Sequence, residues 1–224
     1  MTNGIITMHR SWLQICLVII ADSNFGILRH TAGKVFLKRR EKMLLGFIIF
    51  GGIPIAIVSL IIYVIIYFVR KHKEERKTFL CHFMRYLLIA CILSLVYLTI
   101  LWGGIDVGVD YHLLNLRPFI WLTEVYEMGH AKMIEQLVTN IFMFLPYGFL
   151  LPIVFQKMRC WWKTDIAVAG FSFLIEFVQY FIGRSCDVDD LINNTLGGCL
   201  GYGIFYLLQK FCGNKKWHEN MLGK

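Results

Sequence analysis

Long stretches without charged residues constrain this chain most. Met43 to Val69 contains 27 residues and no charge, and four shorter apolar stretches follow it. A helix needs about 20 apolar residues to cross the ~30 Å hydrocarbon core of a bilayer. The chain is also 57% hydrophobic and only 17% charged, as polytopic membrane proteins are. We therefore predict an all-α membrane protein that forms a bundle of about five transmembrane helices.

The apolar stretches set the expected helix boundaries. A first transmembrane helix is predicted at residues 43–69, after an N-terminal tail at residues 1–42 that differs in composition. The segment 210–224, after the last apolar stretch, is predicted to be a cytoplasmic tail. The other four helices are predicted at Phe79–Trp102, Leu137–Phe155, Ile166–Ile182 and Leu191–Gln209.

The distribution of basic residues predicts the orientation. The net charge is +8, but the cations flank apolar helices instead of forming one soluble face, so no nucleic-acid partner is expected. The segments after the first, third and fifth helices hold 5, 3 and 4 cations, whereas the two intervening loops hold two and one. By the positive-inside rule this places the C-terminus in the cytoplasm and the turn at residues 183–190 outside.

The N-terminal tail does not fit this orientation. Residues 1–42 contain seven cations on the side that should contain few. We therefore expect either that the tail is translocated against its charge or that translation begins at Met43.

Several chemistries lack sequence support. The seven cysteines form no C-x-x-C pair, so neither a disulfide framework nor a zinc site is predicted. No G-x-S-x-G, H-E-x-x-H or S-x-x-K motif is present, and a Ser or Cys nucleophile is therefore unsupported. No cofactor is implied.

The fourth predicted helix carries polar residues on one face. Glu176 and Gln179 are three residues apart, which places them on the same side of a helix. A charged carboxylate near the bilayer centre costs roughly 2.5–3.5 kcal/mol on insertion scales, so it should be paired, protonated or in a wet cavity. Two interpretations stay open, because Glu176 could hold helices together through Asn194 or Asn140, or it could line a polar cavity.

The turn after this helix is rich in acids. Asp187 and Asp190 have the spacing of a cap for the next helix, and Arg184 could pair with Asp187 or Glu176. Capping leaves a surplus acid, which could bind a divalent cation or a cationic substrate group. The spacing does not match an EF-hand loop, and we predict no metal site.

The start of the fifth helix adds small and amide side chains. Gly197-x-x-x-Gly201 is a pattern typical of close helix packing. Asn194 lies one turn from Gly198 and could face the same seam as Glu176. We predict that one outward-facing polar pocket forms between the third, fourth and fifth helices. Its binding residues are Asn140, Glu176, Gln179, Arg184, Asp187, Asp189, Asp190 and Asn194.

Four motifs, in this order, resemble the VanZ-like family of bacterial membrane proteins. The resemblance covers roughly residues 79–209 and implies a four-helix domain in the cell membrane. The family is named for an accessory protein that raises tolerance to the glycopeptide teicoplanin, so antibiotic resistance is an implied function. The motifs are Asn115-Leu116-Arg117-Pro118-Phe119, Asn140-Ile141-Phe142-Met143-Phe144-Leu145-Pro146-Tyr147-Gly148-Phe149, Glu176-x-x-Gln179, and Arg184-x-x-Asp187-x-Asp189-Asp190-x-x-x-Asn194-Thr195-x-Gly197.

Two classes of function follow. The first is a non-enzymatic protein of the cell envelope. Its outer cavity binds the headgroup of a membrane lipid or of a lipid-linked cell-wall precursor, or it excludes a lipoglycopeptide from the membrane. The second is a membrane-embedded enzyme acting on such a headgroup, with Glu176, Asp187 and Asp190 as catalytic candidates beside Asp189. A tightly packed Glu-Asn-Arg network would favour binding or structure, and a carboxylate with a raised pKa beside a lipid-sized cavity would favour catalysis.

Overall fold

The chain divides into two compact units, residues 1–57 and 58–224. The first unit contributes only the beginning of helix α1 to the described residues, and the second contains all later elements. The N-terminal tail and Met43 lie outside the described residues. The computed structural model describes residues 51–69, 77–101, 114–119 and 130–223.

The described residues confirm the predicted all-α class. A π-helical turn at Tyr97–Leu101 continues helix α2, and the two strands have two residues each. In chain order the elements are α1 (Ile53–Val69), α2 (Phe79–Val96), β1 (Leu114–Asn115), α3 (His130–Val154), α4 (Trp161–Phe181), β2 (Cys186–Asp187), α5 (Val188–Cys212) and α6 (Lys216–Leu222).

Three described helices are long and apolar enough to cross a membrane: Phe79–Leu101, Gln136–Val154 and Trp161–Phe181. Helix α1 is apolar over its 17 residues. Helix α5 is long enough at 25 residues, but its asparagines and glycines make it less apolar than those three. Five long helices are thus present in the described residues, in agreement with the predicted bundle.

Three helices extend beyond the predicted apolar spans. Helix α3 begins at His130, seven residues before the predicted Leu137, and α4 begins at Trp161, five residues before Ile166. Helix α5 extends three residues beyond the prediction at each end. Hydropathy marks the part of a helix that lies in the apolar layer, whereas backbone hydrogen bonding continues into polar residues such as Lys163, which can remain hydrated.

Helices α3 and α5 pack with their backbones in contact. A Cβ atom on Gly201 would collide with the backbone carbonyl of Leu145, and one on Gly148 would collide with the carbonyl of Gly198. Glycine at these positions therefore lets the two backbones touch. This confirms the packing role predicted for the Gly197-x-x-x-Gly201 pattern.

Helix α4 has two chemically different faces. Phe173 and Phe177 are 60% and 50% exposed, as expected for side chains that face lipid. On the other side Ser172, Glu176 and Gln179 are buried in the bundle. The protein thus keeps its intramembrane carboxylate away from the hydrocarbon.

The two ends of helix α2 contact different parts of the chain. At its start, Thr78 accepts a hydrogen bond from the Cys81 N–H and donates one to the Asn220 carbonyl of α6. Near its other end, the Thr99 carbonyl accepts hydrogen bonds from Gln179 and Arg184. Thr78 and Thr99 are separated by 21 residues, about 32 Å along a helix. The turn at residues 183–190 and helix α6 therefore lie at opposite ends of α2.

Candidate functional site

A glycine-based cap ends helix α4 and places Arg184. Gly183 adopts a left-handed conformation with φ of 72°, and the Arg184 N–H donates to the Gln179 carbonyl over 3.0 Å. This is the Schellman arrangement, in which a glycine reverses the chain and satisfies the last carbonyls of the helix. The cap turns the chain back towards the bundle, so that Arg184 lies beside the end of α2.

Glu176 joins the end of α4 to the start of α5. Its side chain is 5% exposed, and its Oε2 atom accepts a hydrogen bond from the Asp187 N–H over 3.1 Å. Asp187 is the residue that caps helix α5. The buried glutamate therefore fixes the position at which the next helix begins.

Asp187 is the N-cap predicted from the sequence. Its Oδ1 atom accepts hydrogen bonds from the Asp189 N–H over 2.9 Å and from the Asn115 side-chain amide over 3.2 Å. Burial raises the pKa of Asp187 above its ordinary value. Asp190, which shares the predicted cap spacing, bonds elsewhere.

Asp190 connects helix α5 to helix α3. The side-chain amide of Asn140 donates to Asp190 Oδ1 over 2.5 Å. The guanidinium of Arg184 interacts electrostatically with the carboxylates of both Asp190 and Glu176. Burial lowers the pKa of Arg184, while these two carboxylates oppose that effect.

Arg184 also contacts helix α2. Its Nη1 atom donates to the Thr99 carbonyl over 2.6 Å, and the Gln179 amide donates to the same carbonyl over 2.8 Å. Carbonyls in the last turn of a helix accept no hydrogen bond from within the helix. The Thr99 carbonyl can therefore accept hydrogen bonds from both donors. The last turn of α2 is thereby held against α4 and the turn that follows it.

A short segment before α3 packs onto the acidic turn. Leu114 and Asn115 pair in parallel with Cys186 and Asp187. The Phe119 N–H then donates to Asp189 Oδ1 over 2.6 Å.

Asp189 is the least accessible acid of the turn, at 4% exposed. Its Oδ1 atom has the Phe119 N–H as a donor, but its Oδ2 atom is buried and accepts no hydrogen bond within the described residues. A buried carboxylate oxygen without a donor is energetically costly. We call Glu176, Arg184, Asp187, Asp189 and Asp190 the polar cluster.

Asn194 lies apart from the polar cluster. It is buried one turn farther along α5 than Asp190, and its amide donates to Ser172 Oγ of α4 over 2.9 Å. Among the described residues, no hydrogen bond links Asn194 to a carboxylate of the cluster. Of the eight predicted binding residues, the structure thus joins seven through direct contacts or through the Thr99 carbonyl, and places Asn194 in a neighbouring helix contact.

Three contributors were not predicted as site residues. Asn115, which donates to Asp187, belongs to one of the four sequence motifs, and that motif could have identified it as a site residue. Thr99 and Phe119 contribute backbone groups, and no side-chain pattern could reveal them. Phe119 has a left-handed φ of 64°, which is uncommon for a residue other than glycine.

The chemistry available to the polar cluster is that of a hydrogen-bond acceptor. It holds four carboxyl groups and one guanidinium, and one buried oxygen accepts no hydrogen bond within the described residues. Within the described residues, no group of three or more His, Cys, Asp or Glu side chains is arranged to hold a metal ion.

Comparison with known proteins identifies the family. No solved structure matches the chain. Protein VanZ of Enterococcus faecium is 31% identical over 110 residues, which are 48% of this chain and 62% of that protein. The chain therefore spans less than two thirds of this relative's length. The VanZ/LLP1 family model matches residues 55–209, which contain the whole polar cluster. The chain belongs to the VanZ/LLP1 family.

Proposed function

We propose that the polar cluster binds the headgroup of a membrane lipid or of a lipid-linked cell-wall precursor. The cluster lies on the outer face of the cell membrane, and the C-terminus lies in the cytoplasm. By binding such a headgroup, the protein contributes to tolerance of glycopeptide antibiotics of the teicoplanin type.

The unsatisfied oxygen of Asp189 is the observation that supports this proposal most. Leaving a buried acceptor without a donor costs about 1–3 kcal/mol, and more when the acceptor is charged. A ligand ammonium or hydroxyl group at Oδ2 would remove that cost. The excess of carboxylates over the single guanidinium of the cluster favours a ligand group that donates hydrogen bonds.

The cation distribution supports the outer face. The basic segment 70–77 precedes Thr78, and helix α6 packs at that same end of α2 beside Lys215 and Lys216. The polar cluster contacts Thr99 at the other end. By the positive-inside rule the basic end is cytoplasmic, so the cluster faces outward.

The hydrogen-bonded network favours binding over catalysis. Asn140, Glu176 and Arg184 are each held by neighbouring elements in the way expected of a fixed recognition surface. The family relationship supplies the link to teicoplanin tolerance.

A membrane-embedded enzyme is the second candidate. It is favoured by one observation, the electrostatic contact of Glu176 and Asp190 with each other and with Arg184. Two interacting carboxyl groups can hold and transfer a proton between them. Headgroup release or modification during incubation of the purified protein with lipid would support this candidate.

Teicoplanin susceptibility of cells that express the chain tests the proposal. Asp189→Asn keeps an oxygen for the Phe119 N–H but replaces the acceptor that lacks a donor, Oδ2, with an NH₂ group. We expect wild type to raise the inhibitory concentration and Asp189→Asn to lose that increase at equal membrane abundance.

Asp165→Asn is the matched control. Asp165 lies near the start of α4, far from the cluster, and its Oδ1 atom is also buried without a hydrogen bond in the described part of the chain. This variant should behave as wild type. Full tolerance in Asp189→Asn, or no tolerance in wild type, would overturn the proposal.

A further inference from the structure

An apolar groove of about 520 Å³ runs between helices α2 and α3. It is formed within two membrane-crossing helices and is open on one side. Residues that line it include Leu87, Ala90, Ser94 and Leu98 on α2 and Phe142 and Pro146 on α3.

Small side chains create the groove. Ala90 and Ser94 are four residues apart, so they lie one above the other on the same face of α2. Opposite them, Pro146 presents a compact ring on α3. Larger residues at positions 90 and 94 would fill the space between the helices.

One end of the groove lies close in sequence, on both helices, to the groups that hold the polar cluster. On α2, Leu98 is followed directly by Thr99, whose carbonyl binds Arg184. On α3, Phe142 is two residues from Asn140, which binds Asp190. The end of the groove at Leu98 and Phe142 therefore lies at about the same depth along the helices as the cluster.

We propose that the groove holds an acyl chain of a glycerophospholipid whose headgroup is bound at the polar cluster. This inference rests on the proposed function and narrows its ligand to an acylated lipid. The α2 wall extends from Met84 to Leu98, about 21 Å along a helix. One leaflet contributes about half of the ~30 Å hydrocarbon core, so a chain from the outer leaflet fits within the groove.

Lipid titration of the delipidated full-length protein in mild detergent tests this inference. Native mass spectrometry would measure binding of palmitoyl-oleoyl phosphatidylethanolamine, palmitoyl-oleoyl phosphatidylglycerol and the deacylated headgroup glycerophosphoethanolamine. Wild type should bind at least one of the two acylated lipids, and the deacylated headgroup should bind far more weakly.

Ala90→Phe should weaken lipid binding by about tenfold or more. A factor of ten corresponds to the loss of about two buried methylene groups. Gly170→Phe is the matched control, because Gly170 is exposed on α4 and has open space around its Cβ position. It should bind lipid as wild type does. If Ala90→Phe does not elute as a folded protein, Ser94→Leu can replace it. Ser94→Leu introduces a smaller side chain into the groove and should also weaken lipid binding.

The outcomes separate this inference from the proposed function. Equal lipid binding by Ala90→Phe and Gly170→Phe would mean that the lipid binds only to the outer surface of the protein. That result would overturn the groove assignment. Equal binding of phosphatidylethanolamine and glycerophosphoethanolamine would also overturn it, while leaving headgroup binding intact. Binding of none of these compounds by wild type would overturn the groove assignment, and the teicoplanin test of Asp189→Asn would then decide the proposed function separately.

Discussion

The Asp187 N–H donates a hydrogen bond to the buried Glu176 side chain over 3.1 Å, and Asp187 is also the N-cap of helix α5. One carboxylate therefore links the membrane-embedded part of α4 to the acidic turn. A change at Glu176 can therefore act on the electrostatics of the polar cluster, on the start of α5, or on both.

Glu176→Gln should separate these two roles. The amide oxygen of Gln can still accept from the Asp187 N–H, and a neutral amide is cheaper to insert than a carboxylate. We expect normal membrane abundance and loss of teicoplanin tolerance.

Glu176→Leu is the comparison. It leaves the Asp187 N–H without an acceptor and should destabilise the protein by about 1–3 kcal/mol. Thermal unfolding in detergent, monitored by fluorescence-detected size-exclusion chromatography, would measure the difference in stability between the two variants. Full tolerance in Glu176→Gln would show that the carboxylate is structural.

The glycines of helix α5 provide a test of the packing. Gly201→Ala places a Cβ atom against the Leu145 carbonyl and should destabilise the protein by about 1–3 kcal/mol. Gly203→Ala lies in the same helix with open space around its Cβ position, so it should be neutral or slightly stabilising. Midpoints of thermal unfolding would compare the two, and equal midpoints would argue against the close α3–α5 contact.

Asp187 predicts a pH dependence of stability. Burial raises its pKa above the ordinary value of 3.8, so the folded protein holds this proton more tightly than the unfolded chain does. Its stabilising contribution is therefore complete below pH 3.8 and is lost as pH rises through the folded-state pKa.

Asp187→Asn isolates this effect, because Asn is also a good N-cap and cannot ionise. From about pH 4 to about pH 7, the melting temperature of wild type should fall relative to that of Asp187→Asn. A constant difference between the two proteins over this range would mean that Asp187 does not titrate in it.

Cysteine labelling tests the orientation. Burial raises the pKa of the native Cys186 thiol, which slows its reaction, so the exposed neighbour Ser185 is the better position for a probe. In a background without other cysteines, a membrane-impermeant maleimide should label Ser185→Cys in intact cells. The exposed Cys160, retained alone, should react only after lysis. Labelling of both positions from the same side would contradict the opposite placement of these two segments.

Composition and motif spacing were enough to predict the helices and most of the residues that the polar cluster brings into contact. Apolar length identified the helix that starts at Phe79 and the helix that contains Glu176. The cost of an intramembrane carboxylate predicted that Glu176 is buried. The acid spacing identified the cap at Asp187. Each of these depends on local sequence.

Long-range backbone contacts could not be predicted in the same way. The pairing of Asn115 with Asp187 joins residues 72 positions apart, and the Thr99 carbonyl is an acceptor that every residue type carries. Asn194 was assigned to the cluster from its position on α5. It bonds Ser172 instead, because the exact rotation of α5 against α4 depends on packing of the whole bundle.

Lipid retained through purification is the most direct test that the polar cluster is a headgroup site. Native mass spectrometry would compare wild type, Asp189→Asn and Gly203→Ala after gentle extraction and exchange into fresh detergent. We expect a bound lipid mass on wild type and on Gly203→Ala and its loss from Asp189→Asn. Equal retention by Asp189→Asn and wild type, or no retained lipid on wild type, would contradict it.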